Sequence, residues 1–162
     1  MGGPYQEDAY MSQSVRLPYY KLAPAAFQKM LELSAVLHES SLGRRLVDLI
    51  FLRVSQINGC AFCMDMHWRD LIAHGADARE LNTLAGWRES PFFTEREQAA
   101  LHWAELITRV PQTDASDEEY ARVRQHFSET EVAELGFTIS TINAWNLLNL
   151  GFRNPVARTP AI

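Results

Sequence analysis

The sequence predicts an all-α domain of about seven helices, and three observations carry that expectation. Apolar residues recur at three- and four-residue intervals from Pro24 almost to the C-terminus. The strict alternation of a half-buried strand is nearly absent. Helix-start and helix-stop signals fall between the periodic stretches. A chain of 162 residues, 47% hydrophobic and 22% charged, suits a single domain that can bury a core without disulfide staples. The expected division is a polar, flexible leader over residues 1–14 and one helical domain over 15–162.

The elements follow in order. Pro24 suits a first helical turn, and Phe27, Met30, Leu31, Ser34 and Leu37 repeat at helical spacing, which gives a helix over roughly 24–38. Leu46, Leu49, Ile50, Val54 and Ile57 mark a second over roughly 43–57. Asn58-Gly59 breaks it, because both residues tolerate the left-handed backbone that ends helices. A third helix starts close to Cys60 and runs to about His74, where Gly75 stops it. Asp77 with Glu80 resembles a capping pair for a short helix to about Ala85, and the segment from Trp87 to Phe93 reads as a loop.

Thr94-x-x-Glu97 is a capping box opening a helix that Pro111 ends. Ser116-x-x-Glu119 is read as another, for a helix closing near Phe127. In the last and most apolar helix, Val132, Leu135, Ile139, Ile142, Trp145 and Leu148 recur at helical spacing, with Gly136 and Ser140 small enough for a close neighbour. It is expected to be the central packing element or a subunit contact. The tail from Phe152, with Pro155 and Pro160, is expected to be extended.

Charge and composition exclude several functions. The net charge of -5 and the lack of clustered Lys and Arg argue against nucleic acid; Arg44-Arg45 reads as a solvated helix end. No apolar run approaches the roughly 18–20 residues that cross a bilayer. The first residues lack a secretory signal, and Gln6 stands where a myristoylation signal wants Ser or Thr. A cytoplasmic protein is expected, and in a reducing cytosol an isolated Cys-x-x-Cys is redox-active or metal-binding more often than a permanent staple.

Both cysteines of the chain, Cys60 and Cys63, lie in Ser55–His74, with His67 following. On a helix starting near Cys60, positions 60, 63 and 67 share one face. A thiolate is the nucleophile, so a working cysteine needs its pKa held below the model value of about 8.5. The helix N-terminus favours negative charge at Cys60, and His67, four residues after Cys63, can take a thiol proton or stabilise the thiolate. Helix position favours Cys60 as nucleophile; proximity to the base favours Cys63. We take Cys63 as the attacking residue and Cys60 as the resolving one, with sulfenic acid, disulfide and reduction by an external dithiol following in turn. Asp48, a carboxylate amid the apolar stretch Leu46–Leu52, is the candidate to orient His67, its bland alternative being a pairing with an arginine.

Three stretches carry a resemblance to a known family: Leu22–Ala26, Leu52–His67 and Trp87–Glu97. They look like the alkyl hydroperoxidase D-like branch of the carboxymuconolactone decarboxylase superfamily, and the similarity runs from about Arg16 to Pro155. The resemblance implies an all-helical fold, a homo-oligomer (often trimer or hexamer), and thiol-dependent peroxidase chemistry without metal or flavin cofactor. It also implies a proton relay of a Glu, two Cys and a His. The Cys and His positions match Cys60, Cys63 and His67. The Glu lies twelve residues before the first Cys, where this chain has Asp48, shorter by one methylene, so that a water would bridge the gap.

Other readings stand beside this one. A structural zinc wants four protein ligands and no second Cys-x-x-Cys is present. A c-type haem is excluded because Met64, not His, follows Cys63. His38, His74, His102 and His126 have no partners at telling intervals and read as surface or core residues. The four tryptophans read as core or interface residues, some of them lining an apolar route to the thiols, while Ser55 and Asn58 read as turn and capping residues. Two rival functions remain: a cofactor-free decarboxylase of small lactone acids, which needs no thiol pair, and a non-catalytic oligomeric protein.

Overall fold

A computed structural model describes residues 15–157; the expected leader over 1–14 and Pro160 lie outside them. Among the described residues there are eight α-helices and no strand. They are α1 (Tyr19–Leu22), α2 (Pro24–His38), α3 (Arg44–Asn58), α4 (Ala61–Ala73), α5 (Ala78–Asn82), α6 (Glu95–Thr108), α7 (Asp117–Arg124) and α8 (Glu129–Phe152), with a 3-10 turn at Leu84–Gly86. The all-α expectation holds. The four-residue α1 is additional, too short to carry a periodic signal, and the short helix expected up to Ala85 divides into α5 and the 3-10 turn.

α3 lies at the centre, with α2, α4, α6 and α8 packed around it. Its residues from Leu46 to Leu52 are buried without a break, which only a helix covered on all sides allows. On one flank Val47, Ile50, Phe51 and Val54 meet Ala104 and the α8 residues Leu135, Ile139 and Ile142. On the other, Leu49 and Leu52 meet Leu71, Leu84, Trp87, Phe93 and Leu101. Each such side chain contributes roughly 1.5–3 kcal/mol by leaving water. The sequence pattern points to α8 as either the central packing element or a subunit contact, and the central place belongs to α3. α8 instead packs one face inward and leaves Phe137 and Leu147 on the outside, 61% and 72% exposed.

Caps explain most of the boundaries. Thr94 with Glu97 forms the expected reciprocal box on α6, and Ser128 with Glu131 forms a second one on α8 that the sequence reading passed over. Ser116 accepts the Glu119 N–H, but the Glu119 carboxylate turns to His102, 2.7 Å away. Likewise Asp77 caps α5 through the Arg79 N–H, while Glu80 pairs with Arg45 at 2.5 Å. Arg45 also donates to Glu97 at 2.7 Å, so half of the pair read as a solvated helix end ties α3 to α5 and α6. No helix of the described residues is long and apolar enough to cross a membrane.

Candidate functional site

The site begins at the break between α3 and α4. Gly59 ends α3 in the left-handed region at φ 71°, a conformation glycine adopts without cost to a side chain. The turn is pinned from α8 by amides. Asn58 Nδ2 donates to Asn143 Oδ1 at 2.8 Å and Asn146 Oδ1 at 3.0 Å, and Asn146 Nδ2 donates to Ser55 Oγ at 3.0 Å. Ser55 and Asn58 therefore hold the turn to the core as well as forming it. Asn146 is fully buried with these bonds made, which is the condition for a polar group to sit in a core without penalty.

Cys60 is the N-cap of α4, and Cys60 and Cys63 are joined as a disulfide, their Cα atoms 5.4 Å apart. The Cys63 backbone N–H points at Cys60 Sγ, 3.4 Å away. The first turn of α4 thus directs a free amide at sulfur, where a thiolate formed on reduction would be favoured. Both cysteines are 1% exposed from the outside. Of the two, Cys63 lines a cavity of about 490 Å³ that is partly open to solvent.

That cavity collects the site. His67 opens onto it, as do Tyr19, Phe27, Phe51, Phe62 and Trp145, so aromatic rings form much of its wall and its exposed surface is mainly apolar, the usual constitution of a small-molecule site. Trp145 is the tryptophan that lines the route to the thiols; Trp87 and Trp103 are core residues. The His67 ring packs on Phe51 with centroids 5.0 Å apart, and neither of its buried ring nitrogens has a protein hydrogen-bond partner. Burial is the main cause that lowers the His67 pKa, to about 4, against a raising influence of Asp48 and a further lowering by His38. The ring is therefore neutral at pH 7. Asp70 approaches it at 4.0 Å, and burial first, then the negative charge of Asp48, raises the Asp70 carboxyl above its ordinary range.

Asp48 is 1% exposed, and it pairs with neither an arginine nor the His67 ring. Its Oδ1 accepts from His38 Nε2 at 2.8 Å, while Oδ2 is buried without a protein partner. His38 lines the same cavity and packs edge-on to Phe51. Sequence reasoning set His38 aside because its partner lies ten residues away in another helix, an interval with no local signature. His102 is likewise paired, with Glu119 of α7, and does not line the cavity.

Asn149 is the other residue that the sequence did not single out. Its Nδ2 lies 3.5 Å from Cys63 Sγ, and it sits on α8, 86 positions along the chain from that sulfur. Among the described residues no group of three or more His, Cys, Asp and Glu is placed to hold a metal ion.

The chain resembles known proteins in sequence and in fold. Residues 24–106 match the carboxymuconolactone decarboxylase family. The chain is 38% identical over 144 residues to the uncharacterized protein YdfG of Bacillus subtilis (strain 168), covering 89% of this chain and 98% of that one. A crystal structure from Agrobacterium tumefaciens, of a protein of unknown function that carries the label of an antioxidant defence protein AhpD, superposes with a TM-score of 0.83. The two are 39% identical over 89% of this chain and 100% of that one. An uncharacterized peroxidase-related protein from Silicibacter sp. TM1040 shares the fold at 23% identity and a TM-score of 0.69, over 79% of this chain and 66% of that one.

Proposed function

The chain belongs to the carboxymuconolactone decarboxylase family, in its AhpD-like branch, and on that premise we propose that it is a thiol peroxidase that reduces organic hydroperoxides through a Cys60/Cys63 dithiol–disulfide cycle. The observation that carries the reading is the Cys60–Cys63 pair at the start of α4, with Cys63 and a neutral, buried His67 opening onto one aromatic cavity.

The cycle balances as follows. The Cys63 thiol passes its proton to His67, and the thiolate attacks the terminal peroxide oxygen. The O–O bond breaks, the alkoxide leaves as an alcohol with the proton returned by His67, and Cys63 becomes a sulfenic acid. The Cys60 sulfur then attacks the Cys63 sulfur, water departs with the Cys60 proton, and the disulfide forms. An external dithiol or thiol protein restores both thiols. The low His67 pKa belongs to the oxidised site, where the sulfurs carry no charge. A thiolate at Cys63 is the counter-charge that draws a proton onto the ring. Asp48 favours the same imidazolium and, with Oδ2 free of protein partners, would act on the ring through one bridging water. The reading suits a cytoplasmic homo-oligomer, trimer or hexamer, with the exposed Phe137 and Leu147 of α8 in a subunit contact.

The test is to add cumene hydroperoxide to the reduced protein and count free thiols. Two thiols lost per peroxide consumed, both recovered with dithiothreitol, is the expected result. Peroxide consumption with no thiol loss would overturn it. A lactone-acid decarboxylase would keep its activity with both cysteines changed to serine.

The buried imidazole also makes a prediction about stability. Unfolded His67 takes a proton below about pH 6.5, whereas the folded ring resists until about 4. The unfolded state then binds more protons across that window, so folding stability falls as the pH drops from about 6.5 to about 4 and loses about 3 kcal/mol in all. Urea unfolding of the oxidised protein should show this loss, and His67→Phe should remove it. Parallel pH curves for the two proteins would refute a neutral buried ring.

A further inference from the structure

We infer that Asn149 is a further catalytic residue, an amide that donates a hydrogen bond to the Cys63 sulfur and makes it, rather than Cys60, the ionised nucleophile. The inference rests on the thiol-peroxidase reading and assigns the residue that breaks the tie between the two cysteines.

Asn149 Nδ2 stands 3.5 Å from Cys63 Sγ, and the residue is 5% exposed. The orientation of its amide is determined by its neighbours. Its Oδ1 accepts from Asn154 Nδ2 and, at 3.4 Å, from the Tyr19 hydroxyl, so the oxygen cannot be the end that faces sulfur. The amide nitrogen also donates to the Trp145 backbone oxygen at 2.8 Å, which leaves its second hydrogen for Cys63.

These partners come from both ends of the described chain. Tyr19 lies on α1, stacked on Phe152 with centroids 5.2 Å apart, and the Arg16 N–H donates to Phe152 O at 2.9 Å. α1 and the segment after α8 thus close over Asn149 and hold its amide. An N–H aimed at a buried sulfur favours the charged form over the thiol. Cys60 Sγ receives the Cys63 backbone N–H but does not line the cavity, so the side-chain donor and the open face coincide at Cys63 alone.

The titratable groups that line the cavity with Cys63 are His67 and Asp70 on its own helix, His38 on α2, and Tyr19 and Tyr20 on α1, with Asp48 behind His38. The test must therefore separate Asn149 from these. Reduced Cys60→Ser carries one thiol, and thiolate absorbance near 240 nm titrates it without any peroxide. Adding Asn149→Leu should move the titration midpoint up by about one pH unit and slow alkylation by iodoacetamide at pH 7 about threefold, because the rarer thiolate is also the more nucleophilic one. At a pH above both midpoints the order should reverse, the Asn149→Leu protein alkylating about threefold faster, which a merely structural role would not produce. Asn149→Asp, which keeps the size and reverses the polarity at sulfur, should move the midpoint further up. Asn154→Ala leaves the donor in place and only loosens it, so it should give a smaller shift; this variant also serves if Asn149→Leu does not fold. Unchanged midpoints in Asn149→Asp and Asn154→Ala would overturn the inference. Because the titration uses no peroxide, the peroxidase reading can fail while this one stands, and the reverse.

Discussion

Cys63→Ser is expected to abolish peroxide consumption, with a loss of at least about a thousandfold in rate, because a serine hydroxyl is a far weaker nucleophile than a thiolate near neutral pH. Cys60→Ser is expected to behave differently. The serine retains a side-chain oxygen at the N-cap of α4, a position that serine favours, so the helix start and the Cys63 environment survive. This variant should consume one equivalent of peroxide and then stop, with Cys63 held as a sulfenic acid that dimedone traps. The asymmetry follows from the cavity, which Cys63 lines together with His67. Trapping of dimedone at position 60 in Cys63→Ser, with little reaction in Cys60→Ser, would exchange the two roles and would also remove the reason for the Asn149 contact.

How far the sequence reveals this site depends on the length of chain over which each interaction acts. The thiols and His67 lie within eight residues on one helix, so spacing alone places them on a common face, and α4 realises that geometry between Cys60 and Ala73. The helices were legible for the same reason, since a cap or a periodic stripe is a local pattern. Asp48 was visible as a carboxylate in an apolar stretch, but its partner was not. The His38–Asp48 bond depends on how α2 turns back onto α3, which no short-range pattern records. Asn149 was harder still. In an apolar helix an asparagine reads as a tolerated polar residue, and only the return of α8 to the start of α4 brings it to sulfur. The central place of α3 is not legible in its pattern, because an amphipathic stripe and a helix buried all round over Leu46–Leu52 look alike when a single charged residue, Asp48, interrupts the apolar run.

Glu105→Gln is expected to destabilise the fold by about 3 kcal/mol while leaving the thiol chemistry of the folded protein intact. Glu105 is 5% exposed on α6. Its Oε1 accepts from Arg53 Nε at 2.7 Å and from Trp87 Nε1 at 2.9 Å, and its Oε2 faces Arg88 Nη1 at 2.9 Å. One carboxylate thereby joins α3, α6 and the loop after the 3-10 turn. Neutralising it leaves the largely buried Arg53 guanidinium without a counter-charge and sets an amide N–H against Arg88. Breaking a buried pair in this way costs roughly 3–5 kcal/mol, with the isosteric glutamine at the low end because it keeps one acceptor.

The same contacts set a pH window. Burial raises the Glu105 pKa, but hydrogen bonds from Trp87, Arg53 and Arg88 outweigh it and hold the carboxyl below its ordinary value of 4.5. A carboxylate depressed in the folded state contributes its stability above the unfolded value and loses it as the pH falls further. Wild type should therefore lose stability in two stages on acidification, first through His67 from about pH 6.5 to about 4, then through Glu105 below about 4.5. Glu105→Gln should keep the first stage and show a smaller second one, to which Glu131, held low by Arg96 and Ser128, also contributes, and His67→Phe should lack only the first. Urea midpoints measured between pH 3 and pH 7 read both, and a Glu105→Gln protein within about 1 kcal/mol of wild type at pH 7 would show that Arg53 finds its compensation elsewhere.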